Sequence, residues 1–271
     1  MLTPMQKKLL EMLEWFHYFC VNNDITYYAN GGTMLGALRH NGFIPWDDDV
    51  DVMIPREDYE KLVNLIGDKK YENYYLETPY GPNGDYVYPY AKLYDTRTTM
   101  IENKNTRLVR GVYIDIFPLD GLGNTKEEAN KNFKRINKYS LLLTLRSLGF
   151  RKGRSLYKNF AILIVRMIPN FLINEKSLLR EFDKRCAEKS YSDCRYVANC
   201  MGNAGYKGIL EKTILGIPKE YTFENIVIWG PEHGEMYLEK VFGDWKQLPP
   251  EGQRMTTHSK EIDFNKPYYN G

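Results

Sequence analysis

The pattern of apolar positions near the N-terminus predicts an amphipathic helix over residues 3–21. Its apolar side chains recur at helical spacing: Leu2, Met5, Leu9, Met12, Phe16 and Phe19. Thr3 and Gln6 have the spacing of a capping box, and Pro4 occupies the first helical position. We expect this helix to pack on a sheet.

A short apolar run and a glycine pair follow the helix. Residues 25–29 predict a strand, Gly31-Gly32 predicts a turn, and Thr33 opens a short helical pattern over 34–40. Glycine lets the backbone approach a ligand closely, and the first N–H groups of a helix lack internal partners, so an anion fits there. Such a turn is otherwise only structural. The pattern makes this corner a candidate phosphate site.

The next strand begins with acidic residues. Asp47, Asp49 and Asp51 are spaced by two, so on a strand they share one face, while Val50 and Val52 face the core. Crowded carboxylates repel one another unless a hard cation such as Mg²⁺, or alternatively Mn²⁺, neutralises them. A solvated acidic loop is the alternative, but the alternation with apolar residues favours a buried strand. A metal site beside a phosphate site indicates phosphoryl-transfer chemistry.

A later apolar strand over 111–119 carries a single acid, Asp115. A carboxylate in a buried strand is costly unless it is paired or bound to metal. Asp115 is therefore a further candidate metal ligand and the candidate general base. Asp120, which precedes Gly121, fits a turn or helix-capping role better. Together these elements predict an α/β fold (α+β) with a mixed sheet.

Tyrosine is frequent between residues 71 and 95, which read as two or more strands with a loop over 78–85. Tyrosine is a good strand residue, and this explains the pattern without any ligand. Alternatively, some of these rings line a pocket for a quaternary ammonium group such as choline. The candidates are Tyr80, Tyr86, Tyr88, Tyr90 and Tyr94.

Composition places the chain among folded globular proteins, with 271 residues, 43% of them hydrophobic, and a net charge of +2. The four cysteines form no C-x-x-C pair, which favours reduced structural thiols; a zinc site using Cys186, Cys194 and Cys200 is the alternative. No signal region or membrane span is evident in the sequence. We expect a cytoplasmic protein.

Residues 131–174 carry many lysines and arginines but no aspartate or glutamate, and apolar clusters interleave with them. Two basic amphipathic helices fit this pattern. They suit either an anionic membrane surface or a helical subdomain with a solvated basic face. We therefore expect a catalytic core of residues 1–125 and 195–271 with a basic helical insertion over 126–194, and peripheral contact with the inner face of the cell membrane. No nucleic-acid-binding module is evident.

The stretch over residues 31–52, GGTMLGALRHNGFIPWDDDVDV, resembles the signature of the LicD family. Weaker resemblance continues through residues 92–95, 113–120 and 242–250, with His258 after them. That family has a nucleotidyltransferase-like fold and includes phosphocholine transferases that act on teichoic acid or lipopolysaccharide. Relatives in the fukutin group transfer ribitol phosphate.

The resemblance implies that a sugar hydroxyl of a lipid-linked cell-surface glycan attacks a CDP-activated alcohol such as CDP-choline, and that CMP leaves. Mg²⁺ would be held by Asp49 and Asp51, with Asp47 and Asp115 nearby. The groups expected to bind substrate are Gly31, Gly32 and Thr33 at the phosphate, Arg39 and Lys92 at the developing charge, and His258. Two alternatives stay open: a nucleotidyltransferase that adds NMP to its acceptor, and a non-catalytic glycan- or membrane-binding protein.

Overall fold

The computed structural model of the chain describes residues 1–83, 86, 88–101, 108–147, 175–202, 204–254 and 261–268. Its α-helices are α1 (Pro4–Asn22), α2 (Gly31–His40), α3 (Arg56–Ile66), α4 (Lys126–Ser147), α5 (Glu175–Cys186), α6 (Lys212–Leu215) and α7 (Gly234–Phe242). Its strands are β1 (Tyr28–Ala29), β2 (Asp51–Pro55), β3 (Lys70–Tyr71), β4 (Tyr74–Glu77), β5 (Ala91–Asp95), β6 (Thr99–Ile101), β7 (Val109–Arg110), β8 (Tyr113–Gly123), β9 (Tyr196–Ala198), β10 (Ile209–Glu211), β11 (Lys219–Phe223), β12 (Ile226–Gly230) and β13 (Ile262–Asp263).

The main sheet is mixed and is organised around the long strand β8. Its order is β1-β2-β8-β5-β4-β3, and β9 extends it by pairing with the C-terminal half of β8 and with β10. Strand β2 runs parallel to β8, whereas β5 runs antiparallel to it on the other side. The predicted mixed α/β fold is confirmed.

Helix α1 forms as its sequence predicts. The Thr3 side chain accepts a hydrogen bond from the Gln6 N–H at 3.1 Å, and the Gln6 side chain accepts one from the Thr3 N–H at 3.0 Å. This capping box satisfies two of the N–H groups that a helix start leaves open. The apolar face buries Leu9, Met12 and Phe16 in the main core. Helix α1 therefore packs on the sheet at the predicted place.

The acidic strand begins later than its sequence pattern predicts. Helix α2 starts at Gly31, so the glycine pair lies within its first turn, and β2 starts only at Asp51. Asp47 and Asp49 lie in the loop before β2. The reason is that β1, the partner of β2 on this side, ends at Ala29 and turns into α2, which leaves the acidic loop no strand to pair with on that side.

Helix α4 shows how the basic segment begins. It buries Ala129, Phe133 and Ile136 against α5, while Lys131 and Lys134 are exposed. This part of the segment therefore has a core-facing apolar side and a solvated basic side. Residues 148–174 lie outside the described residues, so the membrane interpretation and the division into core and insertion stay predictions. Within the described ranges, none of the helices combines the length and the apolarity that a membrane crossing requires.

Asp120 is not the turn or capping residue that the sequence suggested. It lies in β8, is fully buried, and accepts a hydrogen bond from the Arg56 guanidinium at 2.7 Å. Arg56, itself buried at the start of α3, also bonds Asp183 of α5 at 2.9 Å. Asp120 therefore belongs to a buried ion-pair network that joins β8, α3 and α5.

The four cysteines are buried free thiols, as the first of the two interpretations expects. Cys186 and Cys200 do lie together, with potential ligand atoms within 4.8 Å of one another and of Asp120. Cys194 is not part of this group. The three-cysteine zinc set is therefore not assembled, and the acid beside the remaining pair is already bound to Arg56.

Candidate active site

Two of the predicted acids are neighbours on adjacent parallel strands. Asp51 of β2 stands in register with Asp115 of β8, and the Asp115 N–H donates to the Val50 carbonyl at 3.0 Å. Burial, followed by the charges of Asp115, Asp49 and Asp47, raises the pKa of Asp51 well above its usual range. All four predicted acids therefore share one electrostatic environment, in which the loop supplies two of them.

These acids are close but do not form a tight cage. Within the described ranges, the only group of three potential ligands whose atoms all lie within 4.8 Å of one another is the cysteine–Asp120 group. The four acids of the β2–β8 corner are therefore spaced more widely than a fully protein-made metal cage. Mg²⁺ commonly uses one or two carboxylates together with water and substrate phosphates, and this spacing suits that mode of binding.

The glycine pair lies directly against these carboxylates. Gly31 has a φ of +49°, in the region that favours glycine. A Cβ atom added to Gly31 would lie 3.5 Å from Asp51 Oδ2, and one added to Gly32 would lie 2.8 Å from Asp47 Oδ2. Larger residues would therefore strain the backbone or push the acids away, so the close approach of helix start and carboxylates requires glycine.

Backbone hydrogen bonds tie this corner to β2. The Asn30 N–H donates to the Asp51 carbonyl at 3.0 Å, and the Asp51 N–H donates to the buried Thr33 hydroxyl at 2.9 Å. The Thr33 side chain thus fixes the start of α2 to the acidic strand.

Lys92 lies beside the acids but is enclosed. Its ammonium group is 2.9 Å from Asp115 Oδ1, and it lies over the rings of Tyr113 at 3.4 Å and Tyr88 at 4.1 Å from their centroids. Only 1% of the residue is exposed. The centroid of the Tyr90 ring lies 5.8 Å from the same ammonium group. Tyr88 and Tyr90, two of the tyrosines considered for a choline pocket, therefore lie beside the Lys92 ammonium group. That ammonium group forms an ion pair with Asp115.

This arrangement predicts a stability effect for Lys92→Met. The variant keeps the length of the side chain but removes the partner of Asp115, and breaking a buried pair costs about 3–5 kcal/mol. We expect the thermal midpoint of the metal-free protein to fall by several degrees. Added Mg²⁺ should recover more of that loss than it adds to the wild type, because the carboxylate then lacks its internal cation.

Lys8→Met is the matched control for that experiment. Lys8 pairs with Asp95 at 3.3 Å, but Asp95 keeps a second partner in Arg97 at 2.6 Å. Its loss should therefore be small and independent of Mg²⁺. A Lys92→Met variant with an unchanged midpoint would show that the enclosed ammonium group does not neutralise Asp115.

One predicted site residue, Arg39, is not brought to this corner. Arg39 lies at the other end of α2, about 12 Å along the helix from Gly31 at 1.5 Å per residue. Its guanidinium group donates to the carbonyls of Trp245 at 2.9 Å and Gln247 at 3.5 Å. His258 lies outside the described residues. The substrate-binding roles of both stay predictions.

The structure adds one residue that the sequence analysis missed. Tyr237 of α7 is buried, and its hydroxyl accepts a hydrogen bond from the Gly31 N–H at 3.0 Å and donates one to Asn30 Oδ1 at 2.7 Å. A separation of 206 residues hides such a contact from any local pattern. The helical spacing of α7 predicts only that one of its faces is apolar.

The chain is similar in sequence to several known proteins. The family model described as LicD/FKTN/FKRP, nucleotidyltransferase domain, matches residues 24–141. The lipopolysaccharide cholinephosphotransferase LicD of Haemophilus influenzae is 29% identical over 270 residues, which are 96% of this chain and 97% of that protein. The human ribitol 5-phosphate transferase FKRP is 46% identical over 43 residues, 16% of this chain and 9% of that protein. Mannosyltransferase regulator 4 of Saccharomyces cerevisiae is 27% identical over 111 residues, 41% of this chain and 9% of that protein.

These similarities place the chain among enzymes of the phosphotransferase class. More narrowly, residues 24–141 are similar to the LicD/FKTN/FKRP nucleotidyltransferase domain, and similarity to the Haemophilus influenzae LicD continues over almost the whole chain. The matched region contains all four candidate acids, the glycine pair and Lys92. Tyr237 lies beyond it.

Proposed function

We propose that this protein transfers phosphocholine, or another alcohol phosphate, from a CDP-activated donor to a sugar hydroxyl of a cell-surface glycan precursor. The observation that carries the proposal is the register of Asp51 with Asp115 directly beside the Gly31-Gly32 helix start. A diphosphate needs both an anion-binding backbone and a means of neutralising its charge. At this corner the backbone N–H groups of the α2 start lie beside the carboxylates that would bind a neutralising cation.

The donor set of the corner fits Mg²⁺, because every candidate ligand is a carboxylate oxygen, and burial together with the neighbouring acids raises the pKa of Asp51. Asp49 and Asp51 would hold the ion, and Asp47 and Asp115 would stand close by. When bound, the ion would neutralise charge on the diphosphate and on the departing phosphate oxygen.

The residues of the chain would bind the donor and accept the proton of the acceptor hydroxyl. The N–H groups of Gly32 and Thr33 would hold the diphosphate at the start of α2. The acceptor hydroxyl would attack the phosphorus that carries the alcohol, so that one P–O bond forms to the sugar while the P–O bond to CMP breaks. The hydroxyl proton would pass to a carboxylate, for which Asp115 is the candidate, and Lys92 would keep that carboxylate in place.

The test is to incubate the purified protein with Mg²⁺, a membrane glycolipid extract and each of several CDP-alcohols, including CDP-choline and CDP-ribitol. We expect one donor to yield CMP together with a phosphorylated glycolipid. A matched reaction without glycolipid separates transfer from simple hydrolysis of the donor.

The other outcomes decide between the alternatives. Pyrophosphate released from a nucleoside triphosphate, with NMP on the acceptor, would replace the proposal by a nucleotidyltransferase. Absence of Mg²⁺-dependent nucleotide binding would instead favour a non-catalytic binding protein. An acceptor that carries lipid is expected from the resemblance, and partition of the protein onto anionic vesicles would test its membrane contact.

A further inference from the structure

The first turn of α2 is held from the C-terminal part of the chain. Helix α7 packs against α2 so closely that a Cβ atom added to Gly234 would lie 2.5 Å from Met34 Cε and 3.0 Å from Leu38 Cδ1. One turn further on, Tyr237 enters the core and is only 2% exposed. Its ring therefore cannot move without repacking the contact between the two helices.

The Tyr237 hydroxyl makes its two hydrogen bonds to consecutive residues of the turn. It accepts from Gly31 N–H and donates to the side chain of Asn30. Nearby negative charge on Asp51 contributes to the raised pKa of this tyrosine, whose main cause is burial. The hydroxyl is therefore tied to both residues at the start of α2.

These bonds decide which N–H groups face a ligand. The N-cap residue and the first three residues of a helix carry N–H groups without internal partners, and at α2 two of these four are already bound: that of Asn30 to the Asp51 carbonyl and that of Gly31 to the Tyr237 hydroxyl. The Met34 N–H bonds the Asn30 carbonyl at 3.3 Å. Within the described residues no acceptor is recorded for the N–H groups of Gly32 and Thr33. With Gly31 fixed at positive φ, these two N–H groups are the ones available to an anion.

We propose that Tyr237 is a positioning residue for the diphosphate, which it serves by locking the turn at Asn30 and Gly31 so that the N–H groups of Gly32 and Thr33 face the bound phosphates. The inference rests on the proposed function, because it assumes a nucleotide diphosphate at this corner. It extends the site beyond the matched domain, since the residue stands on a C-terminal helix.

The test compares Tyr237→Phe with Tyr221→Phe. The first variant removes only the hydroxyl at the turn. The second removes a hydroxyl that donates to the Pro231 carbonyl at 2.6 Å, just before α7, and does not contact the glycine pair. Both variants lose a hydrogen bond that anchors the same helix region, but only one loses the contact with Gly31. Asn30→Ala is a further variant that keeps the bond between Tyr237 and Gly31 but removes the acceptor that orients the hydroxyl.

Two measurements are made on each protein. Calorimetry with CDP and Mg²⁺ gives the affinity of the diphosphate probe, and hydrogen exchange of the Gly31 amide in the ligand-free protein reports the lock itself. For Tyr237→Phe we expect CDP affinity to fall about tenfold, with faster exchange at Gly31. For Tyr221→Phe we expect wild-type affinity and exchange. Asn30→Ala should fall between them and keeps the test decisive if Tyr237→Phe does not fold.

The failures are distinguishable. A wild-type protein that does not bind CDP would overturn the proposed function, and the inference with it, whatever the exchange data show. Wild-type binding with equal affinity in Tyr237→Phe would overturn the inference alone. Equal weakening in Tyr237→Phe and Tyr221→Phe would also overturn it, because a general loosening of α7 would then explain the effect.

Discussion

The Asp51→Asn variant is expected to lose about 10³-fold in the release of CMP and yet to be more heat-stable than the wild type when metal is absent. Activity falls because the central carboxylate of the corner no longer supports the charge of the diphosphate. Stability rises because burial and the neighbouring acids raise the pKa of Asp51. Ionised Asp51 therefore costs the folded protein free energy, and asparagine has the same size without the charge.

The sign of this effect can be checked against pH. A raised pKa in the folded state means that protonated Asp51 contributes stability at acid pH, and that this contribution is lost as the pH rises through the folded-state pKa. The gain in thermal midpoint for Asp51→Asn should therefore be larger at mildly alkaline than at mildly acidic pH in the presence of EDTA. Asp48→Asn is the control, because Asp48 does not contribute to the shift of Asp51. Retained turnover, or a lowered midpoint at alkaline pH, would contradict the assignment.

The second large effect is expected at the buried ion-pair network. Arg56→Met should lower the free energy of unfolding by about 3–5 kcal/mol, because it leaves Asp120 buried without its cation. Asp120 is fully buried and its bond to Arg56 is 2.7 Å long. At about 2–4 °C per kcal/mol, a thermal midpoint roughly 10 °C lower should be visible by calorimetry or circular dichroism.

Two further variants separate loss of the pair from loss of packing. The double variant Arg56→Met/Asp120→Asn removes the stranded charge and should recover a large part of the midpoint. Arg195→Met breaks the exposed pair with Glu211 and should change stability by less than about 1 kcal/mol. If the double variant is no more stable than Arg56→Met, the cost lies in lost packing around the guanidinium group.

Local patterns were sufficient for most of the elements, such as the capping box of α1 and the apolar strands, but they placed the start of the acidic strand too early. The argument that a carboxylate in an apolar strand needs a partner drew attention to Asp115, which lies beside Lys92. The same argument, applied to Asp120, would have predicted a buried cation beside that carboxylate as well. The glycine that follows Asp120 suggested a turn instead.

The missing step was the register of the parallel pair. The same offset of 64 residues that places Asp51 beside Asp115 carries β2 on to Leu119 and then brings Arg56 to Asp120. One register therefore produces a site at one end of the strands and an ion pair at the other. Spacing within a single segment contains no information about that offset, so the Arg56 contact could not be found from local patterns. The Tyr237 contact was hidden for a different reason, because it depends on the packing of α7 against α2.

The contact between α7 and α2 affects the minimum length of chain that we expect to be active. A chain ending at residue 141 would retain every candidate acid and both glycines of the corner. It would lack Phe223, Ile228 and Leu238, which share the main core with Met34, as well as the hydroxyl bound to Gly31. We therefore expect a chain ending at residue 141 to be inactive, and the minimal active unit to extend past α7.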